Sequence, residues 1–153
     1  MNSSIWKPHV AAATVIKRDG TYLCVEEHID GRAVINQPAG HLDPGESLTA
    51  AAVRETFEET AWRVEIDFLI GIYLMETEIP GKTFLRFCFA AHAIEFDEAA
   101  PLDTEIIRTH WLTRAQLEER LGDLRSPLVM AAVADYERGE CYPLEMLHEF
   151  SQR

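Results

Sequence analysis

The 153-residue sequence predicts an α/β (α+β) fold, a mixed β-sheet sandwiched between helices in a single domain over residues 1–153. Three observations predict it. Strand-like runs rich in Val, Ile, Phe and Tyr dominate the centre of the chain. Helix-forming stretches are inserted between strand groups and near the end. Hydrophobic residues make up 47 % of the chain, with no repeat and no low-complexity run, which is ample material for one core. A sheet with few helices buries its faces by laying those helices across it.

The elements follow in order. His9 to Lys17 (HVAAATVIK) reads as a strand, Arg18-Asp19-Gly20-Thr21 has the Asp-Gly chemistry of a hairpin turn, and Tyr22 to Glu26 is the returning strand. The polar, glycine-containing stretch from Glu27 to Arg32 reads as a connection leading to Ala33-Val34-Ile35. Gln37-Pro38-Ala39-Gly40 and Asp43-Pro44-Gly45-Glu46 are breaker clusters that bound an ordered loop. A helix starts at Glu46 or Ser47 and runs to about Thr60. Phe68 to Glu76 and Thr83 to Ile94 are β-rich, and Pro80-Gly81-Lys82 between them predicts a hairpin. An acidic loop from Phe96 to Thr104 precedes a short strand, Ile106 to Trp111. Thr113 is a suitable N-cap for a helix from Arg114 to Leu121, and Pro127 suits the first turn of a helix reaching about Arg138.

Charge narrows the function classes. Fourteen Lys and Arg stand against 26 Asp and Glu, a net charge of −12. Such a surface repels a nucleic-acid backbone, whose binding depends on neutralising phosphates, so no nucleic-acid polymer is expected as partner. It equally repels a free polyphosphate unless divalent cations stand between the two. Charge interrupts every apolar stretch before membrane-spanning length, and no basic segment followed by an apolar one opens the chain. The expectation is a cytoplasmic protein without a membrane partner. Cys24, Cys88 and Cys141 are odd in number and widely spaced, which predicts buried reduced thiols rather than disulfides or a zinc site.

The chemistry is concentrated in Gly40 to Trp62, GHLDPGESLTAAAVRETFEETAW. On an ideal helix Glu55, Glu58 and Glu59 fall within an arc of about 100°. Ala50, Val53 and Phe57 cluster opposite them, so the reading is a helix anchored by one side that presents carboxylates from the other. Crowded like charges repel by roughly 0.2–0.5 kcal/mol per neighbouring pair, and Arg54 offsets only part of this. Hard oxygen ligands in such a group are what Mg²⁺ or Mn²⁺ requires. A solvated acidic face has the same appearance, and the helix alone does not separate the two.

The loop before it does. Gly40, five residues, Glu46, seven residues, Arg54-Glu55, two residues, Glu58-Glu59 resembles the Nudix box. At about 7 % per residue type, six such matches arise by chance at about 10⁻⁷ per starting position. Two positions depart from the pattern: Ala61 stands where the family has its last Gly, and Thr56 where an aliphatic residue is usual. A Gly there allows a left-handed turn, and Ala would cost roughly 1 kcal/mol in that conformation.

The resemblance implies the Nudix fold and a hydrolase that cuts phosphate-anhydride bonds with Mg²⁺ (or Mn²⁺) as cofactor. It implies that Glu55, Glu58 and Glu59 bind the cation with the Gly40 carbonyl as a further ligand, that Glu55 and Glu58 are catalytic, and that Arg54 and Glu46 orient the carboxylates. Families of this type often recruit a further Glu from a loop or strand end, as an extra ligand or as general base for the attacking water. Glu105, where the acidic loop enters a strand, is expected as that group, with Asp103 as its rival. Further words along the chain, among them KPHV at 7–10, QPAGHL at 37–42, FLRF at 84–87, LRSPLV at 124–129 and YPLEM at 142–146, resemble the bacterial NudJ-type phosphatases of this family. That points to a small phosphorylated metabolite as partner: a nucleoside di- or triphosphate, or a pyrophosphate of the thiamine pathway. Arg86, an odd residue in an aromatic strand, and Arg125 beside Ser126-Pro127 are expected to bind the substrate phosphates, a surface or packing role being the alternative for each. Trp6, Phe84 and Phe87 offer either core packing or a ring for a base to stack on, and His41 lies in the box loop. Two other functions compete: a binding module of the same fold, which should lack carboxylates that are all present here, and a purely structural acidic helix, which leaves the Gly40 and Glu46 spacing unexplained.

Overall fold

In the computed structural model, which describes residues 4–152, the predicted first hairpin forms between β1 (His9–Arg18) and β2 (Thr21–Ile29). Asp19 and Gly20 both have positive φ, 50° and 76°, as the tight turn of a twisted hairpin requires. The expected connection at 27–32 is instead the end of β2 and a second turn of the same kind. Asp30 and Gly31 (φ 49° and 79°) lead directly into β3 (Arg32–Asn36), with Glu27 opposite Val34 and His28 opposite Ala33. Polar residues extend a strand without cost where one face of it meets water, so their polarity did not end β2. The expectation of one domain over 1–153 takes in residues 1–3 and 153, which lie outside the described residues.

After the short strand β4 (Ala39–His41) comes helix α1 (Leu48–Thr60), whose N-cap Ser47 accepts a hydrogen bond from the Ala50 N–H at 3.0 Å. The next hairpin is longer than predicted: β5 (Trp62–Glu76) and β6 (Thr83–Phe96) pair from Trp62–Phe96 to Glu76–Thr83. Then follow β7 (Ile106–Leu112), α2 (Arg114–Glu119), capped by Thr113 and Gln116 in a reciprocal capping box, and α3 (Leu128–Glu137) just after Pro127.

The seven strands form a mixed sheet in the order β3-β2-β1-β6-β5, with β4 paired to β1 and β7 to β2. β1 and β6 run parallel; the other pairs are antiparallel. Alternation along the strands sorts the core. Ala12, Leu69 and Phe89 meet Ala51 and Ala52 of α1 on one face. Ala13, Val15, Ile70, Cys88 and Ala90 meet Ala132 and Val133 of α3 on the other. Buried on both faces, β1 reads as the continuous buried run Ala11–Ile16, apolar except for Thr14.

Helix α1 corrects one expectation. Its buried residues are Ala51, Ala52, Thr56, Glu59 and Thr60, whereas Ala50 is exposed and Phe57 lies under the Arg63 guanidinium at 4.5 Å. Glu59 therefore lies on the inward side of the helix, Glu55 is largely covered beside it, and Glu58 stays half-exposed, instead of all three facing away from the core. Small Ala side chains bring the helix backbone close to the sheet, and Thr56 fits this contact by bonding Thr14 Oγ1 at 2.8 Å and the Ala52 carbonyl at 2.7 Å. The cysteines are free, but Cys141 is exposed, not buried as expected, because it lies in the surface segment after α3.

Ala61 keeps the left-handed turn that a Gly would favour, with φ 62° and ψ 11°, and its N–H caps the helix at Phe57 O, 2.8 Å away. Ala61→Gly is expected to raise stability by about 1 kcal/mol, by removing the Cβ from a left-handed conformation. Urea denaturation measures this; an unchanged or lower midpoint would mean that the buried methyl outweighs the strain.

Candidate active site

The site begins at Gly40. A Cβ on this residue would overlap the Glu55 carboxyl group, so Gly40 allows that carboxylate to lie against the β4 backbone. The loop that follows closes on itself, the Glu46 N–H donating to Asp43 O and the Asp43 N–H to Glu46 Oε1, both at 3.2 Å.

Arg54 ties this loop to the helix. It grips Glu46 with a two-point fork, Nε to Oε2 at 2.6 Å and Nη2 to Oε1 at 2.9 Å. Its Nη1 donates to Glu55 Oε1 at 2.8 Å and Glu58 Oε2 at 3.1 Å, while Nη2 also reaches the His41 carbonyl at 3.0 Å. The bond from Arg54 holds the Glu46 carboxyl below its ordinary pKa. Arg54 and Glu46 thus stand where the motif spacing predicts, behind Glu55 and Glu58.

Glu55, Glu58 and Asp103 each turn a carboxylate oxygen to one place, these oxygens lying within 4.8 Å of one another. Glu55 is raised above its ordinary pKa, chiefly by burial. Glu59 does not join that group of three. It is 6 % exposed and accepts the Ala39 N–H at 3.2 Å. Its pKa is pushed up to about 9, first by burial and then by the negative charge of Glu27, with smaller contributions from Glu55 and Asp103. Four carboxyl groups, of Asp43, Glu46, Glu55 and Glu58, therefore stand around the Arg54 guanidinium, with Glu59 and Asp103 adding further negative charge beside Glu55. A donor set made only of carboxylate and carbonyl oxygens, with excess negative charge, suits a hard divalent cation.

Glu105 is not brought into this group. It is exposed, its carbonyl accepts the His28 N–H at 3.0 Å, and its carboxylate acts electrostatically on Glu27. The acidic loop was legible in sequence, but which acid faces the helix was not: Asp103 is selected by its own N–H, which donates to Glu58 O at 3.0 Å.

Arg86 is not a surface arm. It is 6 % exposed, donates to Gln37 Oε1 at 2.8 Å and Asn36 Oδ1 at 3.5 Å, and has its pKa lowered by burial. Arg125 lies 3.9 Å from Glu27, a carboxyl that burial raises above its usual range. Arg86 Nε and Arg125 Nη1 are buried donors without a hydrogen-bond partner among the described residues. Sequence reading missed the surroundings of Arg86, namely Glu27, Asn36 and Gln37, because they come from two other strands and a loop. Phe84 packs against His9 and His41, with ring centroids 5.5 and 6.1 Å away, while Trp6 is exposed.

Comparison with known proteins agrees with this geometry. The NUDIX domain model matches residues 7–132. Phosphatase NudJ of Escherichia coli strain K12 is 39 % identical over 148 residues, 96 % of this chain and 95 % of that protein. A solved NUDIX hydrolase from Nitrosomonas europaea superposes with a TM-score of 0.92 at 41 % identity, covering 94 % of this chain and 98 % of that one. A UDP-X diphosphatase shares the fold at 17 % identity, with a TM-score of 0.73 over 92 % of this chain and 68 % of its own.

Proposed function

Because the chain belongs to the Nudix hydrolase family, we propose that it is a Mg²⁺- or Mn²⁺-dependent phosphatase that acts, as one domain over residues 1–153, on nucleoside di- or triphosphates or on thiamine-type pyrophosphates. The single observation that carries this reading is the crowding of Glu55 and Glu58 beside Gly40, with Arg54 as their one cationic partner among the described residues. The likeness to a phosphatase over nearly the whole length supports the choice within the family.

In this reading Glu55, Glu58 and Glu59 hold the cation with the Gly40 carbonyl. The bound cation supplies charge stabilisation for the phosphoryl oxygens and lowers the pKa of an attacking water. Arg54, anchored by Glu46, fixes the orientation of Glu55 and Glu58, so little reorganisation is left for the reacting state. Glu105, whose carbonyl is tied to His28 and whose charge acts on Glu27, would take the proton of the attacking water. Arg86 and Arg125 bind the substrate, and their unpartnered buried donors support that assignment. Arg125, with a side chain 29 % exposed, would meet the substrate directly, whereas Arg86 is buried and would act through Gln37 and Asn36, to which it donates. The net charge of −12 favours a small substrate over a nucleic-acid polymer. No helix among the described residues is long and apolar enough to cross a membrane, and we place the protein in the cytoplasm on its composition.

The test is phosphate release from a panel of nucleoside di- and triphosphates and thiamine pyrophosphate, with Mg²⁺, with Mn²⁺ and in excess EDTA. The expected result is inorganic phosphate as product, only in the presence of the cation. Full activity in EDTA removes the metal-dependent reading. Pyrophosphate as main product from a triphosphate assigns the chain a different cleavage position within the family.

A further inference from the structure

We propose that Glu27, a largely buried acid on β2, is a positioning residue that holds Arg125 ready for the substrate phosphates; the assignment rests on the substrate-binding reading of Arg125 above. The Glu27 side chain is 12 % exposed, and its Oε1 stands 3.9 Å from Arg125 Nη1. Burying an acid costs free energy unless cations stand beside it. Arg125 and Arg86 supply them, and together with Asn36 they favour the anionic form that burial opposes.

The sheet sets this position. Glu27 pairs with Val34 of β3, and Val25 with Asn36, so Glu27 and Asn36 are diagonal neighbours on one face. Asn36 Oδ1 in turn accepts from Arg86 Nη1 at 3.5 Å. The Arg125 N–H donates to Ile35 O at 2.8 Å, which ties the backbone of Arg125 to the same strand β3. Both members of the pair are therefore held by neighbouring strands rather than by a free loop. Glu26, one residue earlier, turns to the opposite face, where it meets His110 at 2.9 Å and Arg108 at 3.2 Å. The two adjacent acids thus have separate partners.

Arg125 differs from Arg54 in what its donors do. Arg54 engages carboxylates at 2.6 to 3.1 Å and has its fork filled. Arg125 Nη1 is buried and has no hydrogen-bond partner among the described residues. A carboxylate at 3.9 Å orients the guanidinium without occupying that donor, which stays available to a phosphate oxygen. Fixing a long, flexible side chain before binding removes its ordering cost from the binding step. Glu27 therefore acts on affinity for the substrate, through Arg125, and leaves the chemical step to the cation site.

The experiment measures KM and kcat of the full-length protein for ADP and thiamine pyrophosphate with Mg²⁺. The set is the wild type, Glu27→Gln, Glu27→Asp, Arg125→Gln and the double variant Glu27→Gln/Arg125→Gln, each with thermal melting and calorimetric titration with Mn²⁺. Glu27→Gln keeps the shape and loses the charge, and is expected to raise KM by about tenfold with kcat within about threefold of wild type. Glu27→Asp keeps the charge but draws it back by one methylene, so its KM should lie between the two. In the double variant KM should equal that of Arg125→Gln alone, because the effect passes through Arg125. Mn²⁺ affinity should not fall, since the glutamine removes a negative charge that acts against Glu59. Should Glu27→Gln melt early, Glu27→Asp carries the same comparison. Wild-type KM in the Glu27 variants, additive changes in the double variant, or weaker Mn²⁺ binding overturns the proposal alone. Wild-type KM in Arg125→Gln removes that residue from substrate binding and the proposal with it. A wild type that turns over neither compound overturns the function proposed above together with this inference.

Discussion

Glu58→Gln is expected to lower kcat by about 10³-fold at saturating Mg²⁺ while the protein stays folded. Several kcal/mol of charge stabilisation by a bound cation depend on its anionic ligands, and each 1.36 kcal/mol is a factor of ten in rate. The substitution is clean because of where Glu58 stands. Its side chain is 41 % exposed and its contact with Arg54 is a single bond of 3.1 Å, so an amide of the same shape keeps the packing and can keep that bond. Only the negative charge is lost. Glu59→Gln should lower the rate in the same direction, although Glu59 is buried and its effect on stability has to be measured alongside. Steady-state phosphate release and thermal melting on the same preparations decide the matter. Wild-type turnover by Glu58→Gln would remove it from the cation site.

Gly40→Ala should cost about 10²-fold in kcat, the loss expected when a reacting group is displaced by about 1 Å. The added methyl would occupy the position of the Glu55 carboxyl, which cannot share it. Either Glu55 moves, which breaks its 2.8 Å bond to Arg54, or β4 moves away from β1, where Ala12 pairs with Gly40. Both disturb the carboxylates at the point where Arg54 aligns them. Gly122→Ala is the control, since a Cβ there meets nothing within 4 Å and the residue has no positive φ. It should retain wild-type activity. If Gly40→Ala also does so, Glu55 does not need its present position against β4, and the glycine is explained by the loop alone.

Much of the site was legible because its geometry is local. The spacing of Glu55, Glu58 and Glu59 puts them on one side of any helix, and the distance from Glu46 to Arg54 is short enough for one side chain to span. The same holds for Ser47 and Thr113 as caps and for Asp19-Gly20 as a turn, since each acts on a backbone group within a few residues. The polar stretch at 27–32 was misread for a related reason. Its Asp30-Gly31 pair has the same positive-φ turn as Asp19-Gly20, and the polar residues before it stay in the strand because one face of β2 meets water.

What the sequence by itself determined is therefore the family, the helix that carries the carboxylates and the arginine that aligns them, all set by spacing along one segment. Only the tertiary structure decided which side of that helix turns inward. Ala51 and Ala52 pack on the sheet at Ala12, Leu69 and Phe89, and this drew Glu59 into the interior and left Ala50 in solvent. Tertiary structure also chose Asp103 over Glu105 as neighbour of Glu58, and sealed Arg86 beneath Asn36 and Gln37. The physical reason is common to all three. Spacing determines direction about a helix axis or along a strand, whereas burial and charge environment depend on residues tens of positions away that only folding brings near.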